Sequence, residues 1–306
     1  MASDPAASSH RIREEATTLS ARLPGLVVAA RQVAHSLMHG VHGRRQAGPG
    51  ETFWQFRPFL SGEPAARVDW RRSARENHAF VREREWEASH TVWIWFDRTA
   101  SMAFGSDLAP CPKIDRAAVL AFALADLAVR GGERAGLMGM TRPLASRAVI
   151  ERFAEAIAAD ERLHGAPTSS LPPAEPVRSR SKVVLIGDFL GDAQETARAI
   201  RSLASQGAEG QILMIADPIE ESFPFAGHTE FLEAGGVARL RAPRAQSLRE
   251  AYLKRLAEHR EAVRAACAAR GWDFAIHRTD QSAAHALLAL RARLAGPELA
   301  TAAGGS

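Results

Sequence analysis

Two uninterrupted apolar runs that each stop at an aspartate constrain this chain more than any other feature. Thr91-Val-Trp-Ile-Trp-Phe96 leads into Asp97, and Lys182-Val-Val-Leu-Ile-Gly187 leads into Asp188. Runs of β-branched and aromatic residues without polar alternation belong to strands covered on both faces, as in a parallel sheet with helices above and below. The sequence from residue 90 onward agrees. Lys113–Val129 reads as a helix stopped by Gly131-Gly132, 135–140 as a short strand, and Val149–Ala159 as a helix. Residues 193–206 form a helix ended by Gly207, 211–216 a strand, 247–270 a long helix, 272–277 a strand and 281–294 a last helix. Strands alternating with helices of about ten or more residues build βαβ crossovers. The expected class is therefore α/β, a doubly wound and mainly parallel sheet of Rossmann-like type.

Ahead of it, apolar residues from Ile12 to His39 (Leu19, Leu23, Leu26, Val27, Ala30, Val33, Leu37) suggest helices interrupted by Pro24. Gly40–Gly50 reads as a loop, and the aromatic-rich stretch Phe53–Val81 as strands and turns. The expected domains are an N-terminal extension over 1–89, helical and then β-rich, an α/β domain over 90–296, and a disordered tail over 297–306.

Composition removes several classes of function. With 46% apolar and 24% charged residues the chain has enough material for a core. Lysine and arginine total 39 against 35 acidic residues, a surplus of four, and no polybasic tail is present. All but Lys113, Lys182 and Lys254 of the basic residues are arginines, which raises the isoelectric point without making the surface strongly cationic. Cys111 and Cys267 lie far apart and outside any C-x-x-C pair, so a disulfide framework and a zinc ribbon are excluded. No apolar stretch has the length of a membrane span. The start, Met-Ala-Ser-Asp-Pro with Glu14 and Glu15 close behind, is unlike a signal peptide. The expectation is a cytoplasmic protein with no direct membrane insertion and no nucleic-acid partner.

In open parallel sheets ligands collect beyond the carboxyl ends of the strands, where Asp97 and Asp188 fall. Asp97-Arg-Thr99-Ala-Ser101 carries oxygen at i, i+2 and i+4, and a loop leaving a strand can turn one carboxylate and two hydroxyls to a common point. Such hard donors suit Mg²⁺ or Mn²⁺. Asp188 offers a second carboxylate, and Thr168, Ser169 and Ser170 further hydroxyls from the preceding loop. The same residue types also serve as ordinary turn formers and helix caps. Arg67, Arg71, Arg72, Arg75, Arg82 and Arg84 interleave with Trp70, Phe80 and Trp86, but Asp69, Glu76, Glu83, Glu85 and Glu87 nearly cancel them. A salt-bridged scaffold, with an Arg67–Asp69 pair near Trp70, is favoured there over a nucleic-acid surface.

No histidine has zinc-ligand spacing, and the G-x-S-x-G, G-x-x-x-x-G-K-[ST] and G-x-G-x-x-G motifs are absent. A Mg²⁺-dependent phosphohydrolase using the strand-end aspartates is the one enzymatic alternative. Against it, Thr99 stands where such an enzyme commonly has its acid, and no lysine is near Asp97 in sequence.

Asp97-x-Thr99-x-Ser101 resembles the metal-ion-dependent adhesion site of von Willebrand factor A domains, usually D-x-S-x-S with a separate Thr and Asp. The separate Asp corresponds to Asp188, and the lone Thr to Thr168 or alternatively Ser169, in a loop without the usual glycines. A narrower likeness spans nearly the whole chain. Gly62-Glu-Pro-Ala-Ala-Arg67-Val-Asp69-Trp70-Arg-Arg-Ser-Ala-Arg75, then Val81-Arg-Glu-Arg-Glu85, the strand ending at Asp97, and Ala216-Asp217-Pro218 through Phe225 are similar to the domain of unknown function 58 family. The resemblance implies a von Willebrand A-like domain often encoded beside MoxR-type AAA+ ATPases. It implies metal ligation by Asp97, Thr99, Ser101, Thr168 and Asp188, with Asp188 acting directly or through a water. It also implies a structural part for Arg67, Asp69, Trp70 and Arg75. A protein partner would complete the Mg²⁺ or Mn²⁺ shell with an acidic side chain.

Overall fold

The computed structural model describes residues 19–40, 53–59, 68, 70–74, 79–84 and 90–294, and divides the chain into two compact units. The smaller unit, within 41–89, contains strand β1 (Phe53–Pro58), a one-turn helix α2 (Trp70–Ser73) and strand β2 (Phe80–Arg84). The two strands pair antiparallel, and Ser73 Oγ accepts from the Phe80 amide at 2.9 Å.

The larger unit joins helix α1 (Leu19–Gly40) to everything from His90 onward. Its sheet contains β3 (Thr91–Phe96), β4 (Arg134–Leu137), β5 (Lys182–Gly187), β6 (Glu209–Ala216) and β9 (Asp273–Arg278). All pair in parallel, in the order β4-β3-β5-β6-β9. The crossovers are α3 (Lys113–Arg130) between β3 and β4, α4 (Val149–His164) before β5, α5 (Ala193–Ser205) before β6, and α7 (Arg249–Ala268) before β9. Helix α8 (Ala283–Leu294) follows. Between β6 and α7 lie a short helix α6 (Pro218–Ser222) and an antiparallel hairpin, β7 (Thr229–Leu232) with β8 (Arg239–Ala242). The hairpin is absent from the sequence-based expectation.

Alternate residues of each strand feed opposite layers. Val92, Ile94, Phe96, Val184, Ile186, Leu213 and Ile215 face a core shared with α1, α3, α4 and α8. Trp93, Trp95, Val183, Leu185, Ile212 and Met214 face a second core, which holds Ile200 and Leu203 of α5 and Val263 and Cys267 of α7. The sheet is thus wound on both sides, as the apolar runs require. Helix α3 lies between the sheet and other helices and is buried along almost its whole length; its alanines permit the close approach. Pro24 removes one backbone donor from α1 without ending the helix. The first amides of α1, Leu19 N and Ser20 N, donate to the Glu161 carboxylate of α4 at 3.1 and 2.8 Å, so a distant acid caps the helix. Among the described residues no helix is long and apolar enough to cross a membrane.

Candidate functional site

Counting sheet strands in chain order, the arrangement is 2-1-3-4-5, and the winding reverses between the first and third, β3 and β5. This is the switch point where open α/β sheets form a crevice. The two strand-end aspartates stand on either side of it. Asp97 N continues the ladder by donating to Ile186 O at 2.8 Å. A Cβ on Gly187 would come within 3.0 Å of Asp97 Cβ, so the residue before Asp188 has little room for a side chain.

The loop after β3 folds back on Asp97. Thr99 N donates to Asp97 Oδ1 at 2.8 Å, and the chain enters a 3₁₀ turn over Ala100–Ala103. Thr99 Oγ1 and Ser101 Oγ then lie 3.1 Å apart. Asp97 is wholly buried, and its Oδ2 has no hydrogen-bond partner among the described residues. Burial is the largest influence on this carboxyl, opposed by the Thr99 hydrogen bonds and reinforced by the Asp188 charge; its pKa is pushed up from 3.8 to about 6. A buried carboxylate oxygen with nothing to bind, beside two hydroxyls, fits a hard cation.

Asp188 is placed differently. Its Oδ1 accepts from Leu190 N at 3.3 Å, and its Oδ2 accepts from Lys113 Nζ at 3.0 Å. Lys113, the first residue of α3, is buried and also donates to Glu220 Oε1 at 2.7 Å. Burial by itself would pull this ammonium down, but the Glu220 and Asp188 carboxylates more than offset that and leave its pKa above the ordinary lysine value. Glu220 is fixed in turn: its Oε2 accepts from Asp217 N at 2.8 Å in the capping box of α6. Asp217, at the end of β6, is a third strand-end aspartate. It holds the loop after the 3₁₀ turn through Ser106 N (2.9 Å) and Ser106 Oγ (2.5 Å). Lys113, Asp217 and Glu220 are not among the site residues expected from the sequence. Their signals were a lysine in a chain with three, and Asp-Pro-x-Glu after an apolar run, an N-cap with proline at N1.

Of the expected ligands, Asp97, Thr99 and Ser101 come together, with Asp188 beside them across the strand pair. The loop before β5 contributes less. Thr168 and Ser169 are exposed, and Ser169 Oγ bonds within its own loop at Leu171. Among the described residues neither hydroxyl hydrogen bonds to Asp97, Thr99, Ser101 or Asp188. Ser170 Oγ does approach Gly191, in the loop after β5. Arg67, Asp69 and Arg75 lie outside the described residues, as does the tail over 297–306; Trp70 begins α2 and is exposed. No group of three or more His, Cys, Asp or Glu residues that could hold a metal occurs among the described residues. Any cation here would depend on the hydroxyls.

Comparison with known proteins gives the following. Uncharacterized proteins of Mycobacterium tuberculosis and Mycobacterium bovis are 28% identical over 258 residues, 80% of this chain and 80% of theirs. An aerotolerance-related membrane protein of Bacteroides fragilis superposes at TM-score 0.40 with 16% identity, over 68% of this chain and 99% of that one. BatB of Bacteroides thetaiotaomicron gives 0.37 and 14% over the same shares. The family model described as protein of unknown function DUF58 matches residues 55–262, from β1 into α7 and across Asp97, Asp188 and Asp217, and the chain belongs to that family.

Proposed function

We propose that this chain is a divalent-cation-dependent protein-binding module. Asp97, Thr99 and Ser101 would hold Mg²⁺ or Mn²⁺ directly, with Asp188 beside them and Thr168 or Ser169 reaching in only if its loop moves. The observation that carries this reading is the buried, unpartnered Asp97 Oδ2 next to the Thr99 and Ser101 hydroxyls at the switch point of the sheet. When bound, the ion supplies an open coordination position for a carboxylate from outside. The chain's own part is to keep the donors dry and aligned: Ile186 O fixes the Asp97 backbone, and the Thr99 amide orients its carboxylate. The von Willebrand A resemblance supports a partner that presents Asp or Glu. The family resemblance supports a MoxR-type AAA+ ATPase as that partner, in complex assembly in the cytoplasm.

Calorimetry with Mn²⁺ should give heat for the wild type and none for Asp97→Ala; equal heats would remove the basis of the proposal. Capture of the ATPase on immobilised protein should be lost on chelation and restored by Mg²⁺. A Mg²⁺-dependent phosphohydrolase gains one observation, since Lys113 is near the strand tips in space though not in sequence. It predicts phosphate release from an aryl phosphate that disappears in Asp97→Asn.

A further inference from the structure

Asp97 and Asp188, at the ends of β3 and β5, are not equivalent. Asp97 leaves one buried oxygen unpartnered, whereas both oxygens of Asp188 are taken, one by the Leu190 amide and one by the Lys113 ammonium. Lys113 has little freedom to let go. Its backbone amide donates to Phe104 O at 3.0 Å, and its Nζ lies 5.7 Å from the centre of the Phe104 ring. Its other carboxylate partner, Glu220, is locked into the α6 cap. Breaking one arm of such a buried cluster leaves a charge without a partner, which is costly in a dry interior.

We propose that Lys113 is a positioning residue that holds Asp188 away from direct ligation, so that Asp97 is the one carboxylate among the described residues to touch the cation. The proposal rests on the cation-site reading above and settles the part of Asp188 within it. Lys113 is thereby a tethered positive charge that competes with the divalent ion for Asp188. Glu220 anchors that charge through a second hydrogen bond, and helix α6 is the element that carries the anchor.

The decisive protein is Lys113→Met combined with Glu220→Gln. It removes one charge of each sign, so the formal charge around the site is unchanged and no ammonium remains on Asp188. Mn²⁺ affinity, measured by calorimetry on the full chain, should rise about tenfold, as Asp188 becomes a ligand. Adding Asp188→Asn should abolish that gain. In the wild-type background Asp188→Asn should change Mn²⁺ affinity by less than about threefold. This dependence of one substitution on the other separates ligation from long-range charge, whose contributions would add. Unchanged affinity in the double variant, or a gain that survives Asp188→Asn, overturns the proposal. A loss of thirtyfold or more from Asp188→Asn alone also overturns it, and that measurement stands even if the double variant fails to fold. Absence of Mn²⁺ binding from the wild type and every variant instead removes the cation site itself, a different failure.

Discussion

Asp97 and His277 are buried groups whose protonation pulls stability in opposite directions. Folding lifts the Asp97 pKa from 3.8 to about 6, chiefly through burial. Between these values the folded chain holds a proton that the unfolded chain has released. Asp97 therefore favours folding on the acid side, and its cost, about 3 kcal/mol from the linkage relation, is complete above roughly pH 6. His277 is pushed down from 6.5 to about 4 by burial and by Arg116, whose Nη1 lies 3.3 Å from Nε2. Its contribution is whole above pH 6.5 and is lost as the pH falls toward 4. In metal-free urea melts Asp97→Asn should exceed the wild type by about 3 kcal/mol near pH 7.5 and by only about 0.5 kcal/mol near pH 4. With Asp97 removed, the acid-side decline due to His277 should stand out. A gap independent of pH would mean that Asp97 is not held in its neutral form. If Asp97 holds the proposed cation, protons compete for it below about pH 6, and Mn²⁺ affinity should fall toward tenfold per pH unit.

At the scale of elements, helix α1 shows how position in the chain misleads. The sequence reading groups it with residues up to 89, yet Leu19, Leu23, Ala30 and Ala34 enter the core of the α/β unit. Arg22 also pairs with Asp115 of α3 at 2.6 Å. Amphipathic spacing identifies an apolar face but not the surface it will meet. Leu23→Ala should cost about 2–5 kcal/mol in urea melts, the range for a buried leucine. A cost under about 0.5 kcal/mol, the usual size for a surface change, would mean that α1 does not dock. The β7–β8 hairpin was illegible for another reason. Its strands, Thr-Glu-Phe-Leu and Arg-Leu-Arg-Ala, have four residues each, too short for periodicity to register. Its base is held by aromatic contacts, Phe223 with Phe231 and with Tyr252 of α7 at centroid distances of 5.7 and 4.8 Å. Its turn reaches the loop after Asp97: Gly235 has φ of 71°, and a Cβ there would come within 2.6 Å of Ala100 Cβ.

For the α/β unit as a whole, the sheet order decides where stability resides. β3, β5 and β6 have neighbours on both sides and are buried at nearly every position, whereas β4 and β9 are edges. Among the described residues the hairpin pairs only with itself, and it exposes Leu232, Val237 and Leu240. Native-state hydrogen exchange should be slowest in β3, β5 and β6, and orders of magnitude faster in β7 and β8. Uniform protection across the unit would contradict this ranking. The aspartates at the ends of β3 and β5 thus leave from interior strands paired on both sides, which limits how far the Asp97 backbone can move.

What the sequence determined alone is what needs only local information. Two continuous apolar runs and regular helix spacing forced strands buried on both faces, hence a doubly wound parallel sheet, and an oxygen donor at every second residue after Asp97 made that loop a donor cluster. Tertiary structure decided what depends on residues meeting across long separations. Lys113 reaches Asp188 across 75 positions and Glu220 across 107, and no spacing rule links them. It also decided that Thr168 and Ser169 stay in solvent, that Glu161 caps α1, and which helices share each face of the sheet. The physical reason is that periodicity records which side of an element avoids water, whereas the partner of a buried charge is set by where the whole chain leaves one uncompensated.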